Sequence, residues 1–145
     1  MANYCCAVRT NYFRVRDEKV FCEFMECVYG CEDEIHVWEE TAPNGDKLFG
    51  FGCYGGISGV RNSADEDNDD CDTAYDEFID GLQACVADGD AIIILESGNE
   101  KLRYLVGQAT IITSDKVAGF EMNDWAMEAA ARMLNNPDYR TKCVY

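Results

Sequence analysis

Two segments of this chain carry the same pattern, an apolar stripe at helical spacing followed by a pair of strand-like stretches. That repetition restricts the fold more than any other feature. Val20, Phe21, Phe24, Met25 and Val28 recur with a period near 3.6 while Glu23 and Glu26 point away, with Asp17 placed to cap the start and Gly30 to end the helix near residue 29. Tyr75, Phe78, Ile79, Leu82, Cys85 and Val86 form a second stripe, beginning near Thr73 and ended by Gly89. A hairpin follows each helix: residues 35–39 and 47–54 around Pro43-Asn44-Gly45-Asp46, then residues 91–96 and 101–113 around Ser97-Gly98-Asn99. At a shift of 54 residues, Phe21 falls on Tyr75, Phe24 on Phe78, Val28 on Leu82, and Asp46-Lys47-Leu48 on Glu100-Lys101-Leu102. The units, about 18–54 and 73–113, read as an αββ duplication. A strand over residues 4–15 precedes them, a helix over 123–134 follows, and the tail 139–145 is placed as an edge strand. The expected product is one α+β domain spanning 1–145, ordered β-αββ-αββ-α, with a mixed, mostly antiparallel sheet and helices packed on it. Its 145 residues suffice for one such core.

Charge limits what the domain can bind. There are 28 Asp and Glu against 12 Lys and Arg, a net charge of -16. Between residues 17 and 100 the only bases are Lys19, Lys47 and Arg61, and from Asn62 to Glu100 there is none. A chain of this kind does not grip nucleic acid through a basic face. Nine cysteines are an odd number, and the start MANYCCAVRTNYFRV lacks the basic-then-apolar pattern of a secretory leader. The cysteines are therefore read as reduced thiols of a cytoplasmic protein. No apolar run approaches the length of a membrane span, so no membrane partner is expected.

Motifs for chemistry fail on context or spacing. Gly50-Phe51-Gly52-Cys53-Tyr54-Gly55 satisfies GxGxxG, yet Gly56, Ile57, Ser58 and Gly59 follow where a phosphate loop needs a helix. A closely packed strand accounts for those glycines better. Ser58 lacks the spacing of a nucleophile elbow, and His36, the sole histidine, lies in a predicted strand. Cys22, Cys27, Cys31 and His36 are zinc-type ligands without a CxxC pair, and Cys22 and Cys27 lie on different helical faces. Asp65, Asp67 and Asp69 begin like a calcium loop, but Asp70 and Asp76 stand where that loop needs glycine and a bidentate glutamate. No catalytic residue, metal or tightly held cofactor is expected.

One acidic arrangement has geometric content. Asp72, Asp76 and Asp80 stand four residues apart, so their carboxylates leave one helix face about 6 Å from each other, comparable with successive phosphates on a nucleic-acid strand. Glu77 widens the row, and Asp65, Glu66, Asp67, Asp69 and Asp70 extend it beyond the helix N-terminus, where negative charge also suits the helix dipole. The plain alternative is a solvated helix face. Read as a binding surface, the row competes with nucleic acid for an array of Lys and Arg.

With this charge and size, and with segments such as NYFRVRDEKVF, FGFGCYGG and EKLRYLVGQATIITS, the chain resembles the small acidic proteins of phages and other mobile elements, among them anti-restriction and anti-CRISPR inhibitors. The resemblance implies a non-catalytic DNA-mimicking inhibitor whose partner is a basic nucleic-acid-binding protein or nuclease complex of the host. It transfers no individual residue. The alternative function is a small-molecule or nucleotide-binding module using the glycine-rich segment 50–59.

Overall fold

The alternation of β1 (Cys5–Thr10), with Val8 and Thr10 buried and Ala7 and Arg9 on the other side, suits a strand covered on one face. It is the central strand of the sheet. In this computed structural model, which describes residues 4–61 and 71–142 without the side chains of 71–74, β1 pairs with β4 (Lys47–Tyr54) and β6 (Ile92–Glu100). Outside β4 lies β3 (His36–Thr41); outside β6 lie β7 (Tyr104–Ile112) and β8 (Val117–Glu121). Every pairing is antiparallel. A separate ribbon pairs β2 (Val28–Gly30) with β5 (Ile57–Val60). The helices are α1 (Glu18–Glu26), α2 (Cys71–Cys85) and α3 (Met122–Met133). The protein is of the α+β class.

Phenylalanines join the helices to the sheet. Phe21 of α1 meets Phe49 of β4 at 5.0 Å between ring centroids and Phe13 edge-on at 5.7 Å. Phe51 of β4 meets Phe13 and Phe78 of α2, also edge-on, and Phe24 stacks on Phe78 to hold α1 beside α2. Leu82, Val86, Ile92, Ile94 and Ile112 are buried with them, as are Val8, Met25, Val28, Cys53 and Cys85. The strand register places Arg9, Trp38, Tyr54, Leu95 and Leu105 on the opposite sheet face, where Met122 at the start of α3 packs over Gly107.

Several boundaries differ from the sequence reading. The first strand ends at Thr10: Asn11 N–H still donates to the Ile93 carbonyl, but the return bond from Ile93 N–H goes to the Asn11 side-chain oxygen, and the side-chain amide donates to the Ala91 carbonyl. Only single bridges, Phe13 to Phe49 and Val15 to Val86, follow. Asp17 caps α1 as expected, accepting from Val20 N–H, but the helix stops at Glu26. Val28 and Tyr29 instead form β2, drawn out by backbone pairing with β5, a strand that the glycines of the connection conceal. Helix α2 begins at Cys71, ahead of Thr73. The second hairpin turns at residues 101–103, so Ser97-Gly98-Asn99 stays inside β6. Gly98 serves closeness there, since a Cβ would stand 2.6 Å from the Cys5 carbonyl oxygen and 2.7 Å from the Tyr4 hydroxyl. Strand β8 was not anticipated; all five of its residues are exposed, and pairing with β7 defines it. Residues 139–142 form no strand, and 143–145 lie outside the described residues. The two hairpins also sit differently about β1, the second strand of the first (β4) and the first strand of the second (β6) being its neighbours.

Phe51→Ala is expected to cost about 3–5 kcal/mol through the cavity it opens. Thr10→Val should cost about 1–3 kcal/mol, because the buried Thr10 hydroxyl accepts from Phe51 N–H and its loss leaves that donor unpaired. Urea unfolding of both variants checks the pair.

Candidate functional site

The face that α1 and α2 turn toward the sheet is apolar, so their charged residues are left on the outer side of the layer. Glu18, Glu23 and Glu26 of α1 and Asp76, Glu77 and Asp80 of α2 are all exposed. Lys19, 4.0 Å from Glu23, is the only base on these helices, and Lys47 of β4 bonds to Glu18 and lies 3.3 Å from Glu39. Those two hydrogen bonds push the Lys47 ammonium pKa up, so it stays charged and neutralises Glu18 locally. Among the described residues, no base pairs with Glu26, Asp76, Glu77 or Asp80.

Of the residues singled out in the sequence, Asp76, Glu77 and Asp80 stand together on the outer face of α2. Asp65, Glu66, Asp67, Asp69 and Asp70 lie outside the described residues, and Asp72 is described in backbone only. Helix α1, with exposed carboxylates of its own, is packed beside α2 by the stacking of Phe24 on Phe78. The charge continues past the end of α1 into a recess of about 590 Å³ lined by Glu26, Glu32, Asp33 and Glu34. Arg61, on its wall, has its guanidinium 5.2 Å from the centre of the Tyr29 ring.

The glycine-rich segment is closely packed and leads from strand to strand. A Cβ on Gly52 would stand 2.5 Å from the Val8 carbonyl oxygen and 3.1 Å from the Trp38 ring, and the turn at Gly55 (φ +78°) leads into β5 instead of a helix. The glycines of β4 thus give room to the central strand and an aromatic ring. The cysteines around α1 are also dispersed in their bonding. Cys27 donates to the Glu23 carbonyl, Cys31 shares a 2.9 Å hydrogen bond with Ser58, and His36 is exposed on β3. Among the described residues, no three His, Cys, Asp or Glu side chains are grouped to hold a metal ion, and no helix is long and apolar enough to cross a membrane.

On the inner side of the sheet, burial first and negative charge second raise the pKa of thiols and a phenol. Burial, then nearby negative groups including Asp33 and Glu96, pushes the Cys53 thiol up to about 11. Burial, then the charge of Glu96, pushes the Tyr4 phenol up to about 12, and Tyr4 donates a hydrogen bond to that carboxylate. Cys6 is raised by burial and then by Glu96. All three groups thus hold their protons to higher pH than the free side chains do.

No family model matches this chain, no curated protein is detectably similar to it, and no solved structure matches its fold.

A pH effect follows from Cys53. A thiol that ionises near 9.0 when unfolded and near 11 when folded keeps its proton longer in the native state, so stability holds below pH 9 and falls between pH 9 and 11. Urea midpoints measured across that range should decline, and Cys53→Ala should make the decline shallower.

Proposed function

We propose that this protein is a non-catalytic acidic inhibitor that occupies the nucleic-acid-binding groove of a host defence nuclease, in the manner of anti-restriction or anti-CRISPR proteins. It acts by stoichiometric binding in the cytoplasm, without cofactor, membrane or direct contact with nucleic acid. The observation that carries this reading is the paired helical layer, in which α1 and α2 both direct carboxylates outward, with Lys19 and Lys47 meeting Glu23 and Glu18 and, among the described residues, no base meeting Glu26, Asp76, Glu77 or Asp80. Phe24 of α1 stacks on Phe78 of α2 and sets the two helices side by side, so a partner large enough to span both meets one negative field.

That field suits an extended basic groove better than a single cationic ligand. Asp76 and Asp80 follow one another at one helical turn, Glu77 broadens the row, and Glu23 and Glu26 run on the adjoining helix. Each Lys or Arg of a nuclease that meets this surface is one no longer available to a phosphate, so inhibition is competitive with nucleic acid and weakens with salt. The recess beside Glu32, Asp33 and Glu34 extends the surface toward β2. No reactive group is needed, because blocking the groove is sufficient.

The test is a cleavage panel of purified restriction and RNA-guided nucleases assayed with and without the protein. At least one should be inhibited with an endpoint near one inhibitor per nuclease, and added substrate DNA should raise the inhibitor concentration required. Changing Asp76, Glu77 and Asp80 together to Lys should raise that concentration by about tenfold or more with the circular dichroism spectrum unchanged, since all three side chains face solvent. Inhibition that the triple variant retains in full, or that DNA does not relieve, defeats the proposal.

A further inference from the structure

We propose that the cleft between α2 and strands β6 and β7 binds a small organic cation, an alkylammonium or alkylguanidinium, with its charge on Glu96 and its alkyl part against Val8, Ile57 and Ile94. The site lies on the inner side of the sheet, apart from the outer acidic face, and does not depend on the inhibitor reading.

Strand alternation brings Glu96 there. Ile92, Ile94 and Glu96 share the helix-facing side of β6, opposite Ile112, Thr110 and Gln108 of β7. The two isoleucines are buried, but one step further the strand carries a carboxylate where the core pattern calls for another apolar residue. Around it is a cavity of about 370 Å³, lined among the described residues by Val8, Ile57, Ile94 and Tyr75 and by the polar side chains of Gln108 and Thr110. A small apolar-walled cavity with a few convergent polar atoms is the usual form of a small-molecule site.

The hydrogen bonding of Glu96 specifies the sign of the ligand. Gln108 Nε2 donates to its Oε2 at 2.7 Å, and the Tyr4 hydroxyl donates to the same oxygen at 3.3 Å. Both donors are neutral. Among the described residues, none donates to Oε1 and no Lys, Arg or His pairs with the carboxylate. A half-buried carboxylate gains from a charged donor when one reaches it. The surrounding phenols and thiols feel its charge: Tyr4, Cys6 and Tyr75 all have Glu96 among the causes that hold their protons on. Among the described residues, Glu96 is the one charged group lining the cleft, and no positive group compensates it. An anion is repelled, a neutral alcohol gains only the walls, and a cation on a short alkyl stem gains both.

The chain's net charge of -16 attracts cations everywhere, so the test must separate this cleft from the general field. The full chain, labelled with nitrogen-15, is titrated with n-butylammonium and with n-butylguanidinium chloride at constant ionic strength, with 1-butanol and butyrate as controls. Expected are saturable shifts of the Gln108 side-chain amide and the backbone amides of Tyr75 and Thr110 with the two cations, and no saturation with the controls. Glu96→Gln should weaken cation binding by about tenfold or more. The pair Asp76→Asn and Asp80→Asn, on the outer face, should leave it within about twofold. Thr110→Leu, which narrows the cavity and keeps the charge, should also weaken binding and serves if Glu96→Gln alters the fold. Non-saturable shifts, equal binding by butanol, or unchanged affinity in both Glu96→Gln and Thr110→Leu overturns the proposal.

Discussion

The structure depends on contacts among phenylalanines drawn from distant parts of the chain. Phe13 comes from the link after β1, Phe21 and Phe24 from α1, Phe49 and Phe51 from β4, and Phe78 from α2. The edge-on pairs among them favour one mutual orientation over others, which a purely aliphatic core would not do as strongly. Because Phe51 touches both Phe13 and Phe78, the position of α2 is tied to the central sheet, and through Phe24 so is that of α1. The bond from Phe51 N–H to the buried Thr10 hydroxyl links the same residue to the end of β1.

That arrangement also determines where the charge goes. A -16 chain repels itself when compact, and the fold lessens the cost by placing most carboxylates on the solvent side of the helices and in loops. Bases near the N-terminus are used internally: Arg14 pairs with Asp90, Arg16 with Asp88, and Arg9 lies over the Trp38 ring. Surface pairs of this kind contribute little to stability. Among the described residues, none of these arginines pairs with a carboxylate of α1 or α2.

The inner and outer acidic groups have different physical character. Asp76, Glu77 and Asp80 are solvated and act collectively over the range of electrostatic screening. Glu96 is a single carboxylate with apolar walls beside it and two neutral donors on one oxygen, so its effect is local. An acidic protein can therefore carry a diffuse surface for a macromolecule and a defined point of attraction for a small cation without either requiring the other.

Much of this was legible from residue order alone. The period of Phe21, Phe24 and Met25 and that of Phe78, Leu82 and Cys85 mark two helices, and Asp17 marks where the first begins. The class of the fold and the outward row of Asp76, Glu77 and Asp80 follow, because local periodicity fixes which side of an element is apolar. The alternation Ile92, Ile94, Glu96 also held the sign of a carboxylate on a core-facing register, though the abundance of acids concealed it. What the tertiary structure decided was pairing. Strands β2, β5 and β8 are short, glycine-interrupted or wholly exposed, and they exist because a partner strand satisfies their backbone groups. The place of the second turn, the alignment of α1 beside α2, and the meeting of Glu96 with Gln108 and Tyr4 likewise depend on contacts between residues far apart in the chain. Periodicity is a property of neighbours in sequence, whereas register, cavity and field are set by residues that only folding brings together.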